Sequence, residues 1–277
     1  MMKFNPHQSY LFVPATHLDR MTKAAGSGAD AIIIDLEDAV SHDIKDDTRK
    51  KLLAFLDNWD WDSFSSIYLR INAPNHADDL SFAKDITLLN KLPLFGVILP
   101  KVKNADMVAQ LAKQTDKPII AMIESATGIL NLSKIAGVQG VFALSYGCLD
   151  LLNSLDISFG TCAGQVMMDK IRCDLILHSA ANNLHAPIET IYPNFHDEAG
   201  FIKFSRHAWA FGFGGQLLIH PRQVTAIKDL AINPKQLDFA KKVYDTYLKT
   251  GQVVFAVDGQ MVDMPVITWA KKLLGLQ

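Results

Sequence analysis

Eight short, unbroken apolar runs recur along this chain, each followed by an amphipathic stretch: Tyr10–Pro14, Ala31–Leu36, Ile67–Ile71, Gly96–Leu99, Pro118–Ile123, Gly140–Ser145, Ile188–Tyr192 and Gln216–Ile219. A strand that faces solvent on one side alternates apolar and polar residues. A continuous run marks a strand covered on both faces, as in a parallel sheet. Helical patterning fills the intervals at His17–Ser27, Lys45–Leu56, Asp78–Asn90, Ala105–Gln114, Gly128–Ile135, Met167–Asn183, Glu198–Phe211 and Pro221–Ala231. Strand–helix alternation repeated in this way predicts an α/β fold, a closed (β/α)8 TIM barrel. Such a barrel typically needs roughly 250 residues, and the chain has 277. An open doubly wound sheet is the alternative, but no GxGxxG turn follows the first run.

The segment beyond the eighth unit does not fit the repeat. Pro234–Thr250 reads as a further helix, Gly251–Pro265 follows it, and Val266–Leu274 reads as a last helix. The expected organisation is one barrel domain over 1–277, with 232–277 as a C-terminal extension that serves as a lid or an oligomer contact. The formal net charge is −2, without long blocks of one sign. Nucleic-acid binding needs a basic excess that is missing here, so an acidic substrate must be held by a few local cations. Cys148, Cys162 and Cys173 form neither a disulfide framework nor a zinc spacing, which points to the cytoplasm. Met1–His7 carries no apolar signal-like core, and no run approaches the roughly 20 apolar residues of a membrane span.

Barrel enzymes take their functional groups from the C-terminal ends of the strands. Here those ends are polar: Asp35-Leu36-Glu37-Asp38 after the second run, Arg70-Ile71-Asn72 after the third, Pro100-Lys101 after the fourth, Glu124 after the fifth, Asp150 after the sixth, Tyr192 and Asn194 after the seventh and His220-Pro221-Arg222 after the last. The opposite ends carry Gly, Ala, Lys-Pro or plain polar residues. Asp35, Glu37 and Asp38 can each cap the next helix, yet three acids in four positions exceed what one cap uses. Arg70 sits in an otherwise apolar strand, where a cation is costly without a carboxylate partner. The acids after the second run are the expected partners. Lys101 can snorkel from the rim.

Glu124 and Asp150 make a pair of hard oxygen ligands with no His or Cys beside them. Such a pair suits Mg2+ or Mn2+ better than Zn2+, and leaves room for a bidentate 2-oxo or 2-hydroxy acid. Two unrelated strand-end acids are the plain alternative. His220 is read as a hydrogen-bonded structural group. Ser125 and Ser145 lack a nucleophile elbow, and Cys148 has nothing nearby to lower its pKa.

Taken in order, these residues resemble the citrate lyase beta subunit-like family, within the HpcH/HpaI aldolase/citrate lyase superfamily. The resemblance runs nearly end to end. It is carried by Ser9-Tyr10-Leu11-Phe12-Val13-Pro14, by Gly28 through Val40, by Leu69-Arg70-Ile71-Asn72, Leu99-Pro100-Lys101-Val102, Ile123-Glu124-Ser125-Ala126, Gly147 with Asp150-Leu151, Ile219-His220-Pro221 and Val257 through Asp263. The resemblance implies a carbon–carbon lyase that cleaves or forms a 3-hydroxyacyl thioester, giving an acetyl-type fragment and a 2-oxo acid on coenzyme A or an acyl-carrier protein. It implies Mg2+ on Glu124 and Asp150, Arg70 at the substrate oxygen, and Glu37 and Asp38 orienting Arg70 and metal-bound water. It also implies that Asp35, Pro14 and Ala15 lie against substrate. Asp263 would enter a neighbouring subunit's site for proton transfer, which implies a homo-oligomer, a trimer or hexamer. A thioester hydrolase on the same metal site and an aldolase acting on free 2-oxo acids are the alternatives.

Three departures stand out. Gln8 replaces the family's usual Arg, Ala15-Thr16 its Gly-Asn or Gly-Ser, and Glu189-Thr190-Ile191 a common Asp-Gly-Val. The first two are expected where the acyl carrier enters, so the thioester grip is expected to differ while the metal centre stays intact.

Overall fold

The computed structural model describes residues 8–64, 66–74, 80–228 and 234–276. Met1–His7, the first two residues of the third expected helix (Asp78 and Asp79) and the end of the eighth (229–231) lie outside them. The chain divides into two compact units, Met1–Ile227 and Lys228–Gln277.

The first unit is a closed parallel barrel in which each strand pairs with the next and the last with the first. Its strands are β1 Ser9–Pro14, β2 Ala31–Asp35, β3 Ile67–Arg70, β4 Gly96–Leu99, β5 Ile119–Ile123, β6 Val141–Tyr146, β7 Ile188–Glu189 and β8 Gly215–Leu218. The helices between them are α1 Met21–Ala25, α2 Lys45–Leu56, α3 Ser81–Lys91, α4 Ala105–Ala112, α5 Ala126–Leu130, α6 Leu132–Ala136, α7 Cys148–Asn153, α8 Cys162–Ala181, α9 Glu198–Phe211 and α10 Pro221–Lys228. The barrel is therefore as expected, with adjustments. The segment Gly128–Ile135 is two short helices, and the seventh strand is only two residues long. A helix not foreseen, α7, begins directly after β6 and carries Asp150 in its first turn.

Strand alternation sorts the barrel into an inside and an outside. Tyr10, Ala31, Ile33, Tyr68, Ile98, Ile120, Met122, Ala143, Ile188 and Leu217 fill the interior. Ile32, Ile34, Leu69, Val97, Ile119, Ala121, Ile123 and Leu144 pack outward with the helices. One further step of two along β2, β3 and β5 brings the inward face to Asp35, Arg70 and Glu124. The apolar core thus ends where the charged residues begin, and the same periodicity builds both.

The second unit comprises α11 Pro234–Thr250, the antiparallel strands β9 Phe255–Val257 and β10 Gln260–Val262, and α12 Met264–Leu273. Ala240, Val243, Val257, Val262, Ile267 and Ala270 form its own small core. Asp258 and Gly259 both take positive φ at the tip of the two-stranded turn, a geometry that Asp-Gly tolerates well. The two-stranded sheet falls between the two expected helices, in the stretch Gly251–Pro265. Among the described residues no helix is long and apolar enough to cross a membrane.

Candidate active site

A cavity of about 1010 Å³ opens at the C-terminal ends of the strands and is lined by Pro14, Asp35, Asp38, Arg70, Glu124 and Asp150, among others. Parallel register accounts for its centre. Asp35 of β2 and Arg70 of β3 are paired neighbours in the ladder. Arg70 Nε donates to Asp35 Oδ1 at 2.8 Å and Nη2 to Oδ2 at 2.7 Å. This fork-on-fork geometry fixes the guanidinium in one plane. Arg70 Nη1 lies 3.4 Å from Glu37 Oε2, and the guanidinium carbon stands 4.9 Å over the Phe12 ring. The carboxylates raise the pKa of Arg70 above its ordinary value although burial acts against them.

Lys101 closes the other side. Its ammonium bridges Glu37 Oε1 and Asp38 Oδ1, the latter at 2.8 Å. Its backbone is left-handed, with φ 53°, an uncommon conformation for a non-glycine residue. That turn lets the Lys101 N–H donate to Glu124 Oε2 at 3.0 Å. Lys101, expected at the rim, is instead the link between the acids after β2 and the acid after β5. Of the acids after β2 expected to neighbour Arg70, Asp35 makes the fork and Glu37 stands beside the guanidinium, while Asp38 pairs with Lys101.

Glu124 is 6% exposed. Its pKa is pushed up to about 8, first by burial, then by Glu37, with Asp150 adding and Arg70 and Lys101 opposing. Glu37 is also raised, by burial ahead of the opposing pull of Arg70 and Lys101. Its Oε2 is buried without a hydrogen-bond partner. Burial pushes Asp38 up, but hydrogen bonds to Lys101 and Glu37 and the charges of Lys101 and Arg70 together hold it low. A Cβ at Gly147 would stand 2.6 Å from Glu124 Oε1, so a glycine at the head of α7 gives the Glu124 carboxylate its space.

Four carboxylates, Asp35, Asp38, Glu124 and Asp150, line the cavity, with Glu37 and Lys101 beside them. Asp35 and Asp38 are paired with Arg70 and Lys101, whereas among the described residues Glu124 and Asp150 make no ion pair, which fits a divalent cation at those two. Among the described residues no three His, Cys, Asp or Glu side chains converge as a ready metal cage. A protein share limited to Glu124 and Asp150 suits an ion that keeps water and substrate oxygens in its shell, as Mg2+ does.

A second electrostatic neighbourhood lines the same cavity: Arg20, Lys23, Arg222 and His220. The His220 ring stacks on Phe195 with centroids 4.8 Å apart, and its Nδ1 accepts from the Arg222 N–H at 3.1 Å. Burial, with Arg222, His196 and Lys23, keeps its pKa low. The carrier-entry expectation for Gln8 fails. Gln8 precedes β1, and the strand's six residues separate it from the acid-bearing end by about 20 Å. Its N–H donates to Asp30. Ala15 is buried and its N–H donates to the Asp35 carbonyl at 3.0 Å, while Pro14 does face the cavity. Asp263 lies in the second unit, where it caps α12 by accepting from the Val266 N–H at 3.3 Å.

Two supporting clusters are not evident from the sequence. Asp85, fully buried, accepts from Arg49 Nε at 2.6 Å and from both nitrogens of Asn72 at 2.7 Å. Lys45 reaches Asn72 and the Glu37 carbonyl, tying this cluster to the site loop. Arg172, also fully buried, forks onto Glu189 with both bonds at 3.0 Å, and Tyr146 Oη donates to Glu189 Oε1 at 2.6 Å. Each had a legible signal. Asp85 interrupts the apolar face of Phe82, Ile86 and Leu89, and Arg172 that of Met168, Ile171 and Leu175.

Known proteins share this architecture. The citrate lyase subunit beta of Leuconostoc mesenteroides subsp. cremoris is 29% identical over 97% of this chain and 92% of its own length. A (3S)-malyl-CoA thioesterase of Cereibacter sphaeroides (strain KD131 / KCTC 12085) is 30% identical over 98% of this chain and 94% of its own. The crystal structure of the protein CitE from Mycobacterium tuberculosis, in complex with magnesium, acetoacetate and coenzyme A, superposes with a TM-score of 0.83 at 28% identity, covering 97% of both chains. Residues 8–221 match the HpcH/HpaI aldolase/citrate lyase family, and the chain belongs to that family.

Proposed function

We propose that this protein is a Mg2+-dependent carbon–carbon lyase that cleaves, or in reverse forms, a 3-hydroxyacyl thioester, giving an acetyl-type thioester and a 2-oxo acid. The observation that carries the reading is the Arg70–Asp35 fork standing beside a buried Glu124 at the mouth of the barrel. Glu124 and Asp150 would hold Mg2+, or Mn2+ in its place. When bound, the ion supplies Lewis-acid charge to the oxygens of the 2-oxo acid.

Cleavage moves the hydroxyl proton off the substrate, breaks the adjacent carbon–carbon bond and leaves an enolate on the thioester fragment, which takes a proton at carbon. Arg70 presents fixed positive charge where that enolate develops, and Asp35 prevents it from rotating away. Preorganised donors of this kind stabilise charge without reorganising during the reaction. Lys101 holds Glu37 and Asp38 and, through its N–H, orients Glu124. Asp263 would return the proton from a neighbouring subunit, in a homo-oligomer such as a trimer or hexamer. Exposed Val253, Val254, Met261 and Met264 surround it in sequence, apolar surface suited to covering by a partner. The cations Arg20, Lys23 and Arg222 suit an anionic carrier such as coenzyme A. Free Cys148, Cys162 and Cys173 accord with a cytoplasmic protein.

A thioester hydrolase is the second reading, favoured by the thioesterase among the relatives. Incubation with a carboxylated 3-hydroxyacyl-CoA and Mg2+ separates the two. A lyase releases 2-oxo acid without free thiol. Free thiol without 2-oxo acid assigns the hydrolase, and neither product removes the thioester reading.

A further inference from the structure

Around most of the barrel, neighbouring strands are joined by ladders of three to five paired residues; β1 and β2, for instance, share five pairs. Between β6 and β7 the ladder shrinks to one pair, Ser145 with Ile188. This is the seam from which α7 and Asp150 project. Backbone pairing alone therefore constrains the emerging helix weakly here.

Side chains take over that task. Ser145 Oγ donates to the Ile188 carbonyl at 2.9 Å. Tyr146, the last residue of β6, donates to Glu189, the last residue of β7. Glu189 is gripped by both Nε and Nη2 of Arg172 from α8, and Arg172 Nη1 is bonded to Asp169 at 2.7 Å. One residue further on, the Cys148 N–H at the first position of α7 donates to Thr190 Oγ1 at 3.1 Å. On the other flank Gly147 N–H donates to the Ile123 carbonyl at 3.0 Å, one residue before Glu124. The head of α7 is thus stitched to β5 by backbone and to β7 by side chains.

We propose that Tyr146, Arg172, Glu189 and Thr190 form a clasp that positions α7, and with it the Asp150 carboxylate, against Glu124 for the divalent cation. The clasp rests on the reading of Glu124 and Asp150 as ligands. None of its members needs to touch the ion or substrate; they are positioning residues. Their alternation explains the division of labour. Thr190 faces the cavity with Ile188 behind it on the same side, while Tyr146 and Glu189 point outward to meet Arg172. A ligand held in a distorted place loses affinity even when its chemistry is intact, and outer partners of metal ligands are typically worth about 10–100-fold in affinity or activity.

The test is Mn2+ binding, read by electron paramagnetic resonance, alongside thermal unfolding. Thr190→Val removes the acceptor for the Cys148 N–H at nearly constant shape, Thr190→Ser restores it and Tyr146→Phe removes only the outward bond. Thr190→Val and Tyr146→Phe are expected to weaken Mn2+ binding by about tenfold or more, with Thr190→Ser close to the parent. Ile135→Val, a core change in α6, serves as a control of similar stability and should bind like the parent. Parent-like affinity in both Thr190→Val and Tyr146→Phe overturns the clasp alone. An equal loss in Ile135→Val reduces it to general stability and overturns it too. A parent without Mn2+ affinity overturns the metal reading together with the clasp.

Discussion

Two arginines in this barrel make nearly the same contact and serve opposite ends. Arg70 forks onto Asp35 on the inward face, and Arg172 forks onto Glu189 on the outward face. The outward pair is sealed: Arg172 and Glu189 are both wholly buried, and Tyr146 and Asp169 take up remaining bonding capacity. The inward pair opens onto a cavity and is surrounded by more acid than it can neutralise. Glu37 keeps a buried oxygen without a hydrogen bond, and Glu124 is pushed up to about 8 by burial and neighbouring carboxylates. A closed cluster has no remaining demand for a ligand. An open, under-neutralised one can accept a cation and a polar substrate.

Breaking the closed cluster has the largest expected effect. Arg172→Met strands a buried Glu189 carboxylate and should cost about 3–5 kcal/mol of stability, measured by urea unfolding. A cost under about 1 kcal/mol, the scale of an exposed pair, would contradict the description of a sealed pair. Arg70→Lys, in the open cluster, keeps the charge but loses the planar fork. Turnover should fall by roughly 10²-fold or more, with a smaller change in unfolding than Arg172→Met gives. Asp263→Asn should lower turnover by at least about 10²-fold if it transfers a proton, while Mg2+ affinity stays within about twofold of the parent. An equal loss of Mg2+ affinity sinks that role.

The smallest effect is one of pH. A carboxylate must be ionised to ligate a metal, and Glu124 is raised to about 8. Below that pH Mg2+ must displace a proton, so apparent affinity should rise about tenfold per pH unit toward 8, about 1.4 kcal/mol each, and level off above it. Binding near neutral pH should release a proton. Calorimetry in buffers of different ionisation enthalpy checks this, and a pH-independent affinity would rule out the raised pKa of Glu124. Folding stability runs the opposite way to metal affinity. The raised pKa means that the ionised form is disfavoured in the metal-free fold, so this group costs stability as pH climbs from the ordinary carboxylate range to about 8.

The same contrast governs what is legible in the sequence. The inward residues end apolar strands, and strand ends in a repeated α/β pattern announce themselves; Asp35, Arg70 and Glu124 follow from alternation alone. Asp150 is visible as an acid, but its helix is hidden because Cys148–Asn153 is too short to show a period. The outward partners come from distant segments. Arg172 and Glu189 stand 17 residues apart, and nothing local distinguishes a paired buried arginine from an exposed one except the apolar face it interrupts. Lys101 is legible as a cation, while its left-handed backbone, which aims the N–H at Glu124, has no signal in residue type. Gln8 is easily misplaced because its neighbours in sequence belong to the site strand, yet a strand has two ends.

If the acids without an ion-pair partner at the barrel mouth hold a divalent cation, Glu124 must be part of the grip. Mg2+ titration of the parent and of Glu124→Gln by calorimetry, at a pH above 8, decides the matter. A single site is expected in the parent, with a loss of at least about tenfold in affinity in the variant and the fold retained. No binding in the parent, or the same affinity in Glu124→Gln, would refute the assignment.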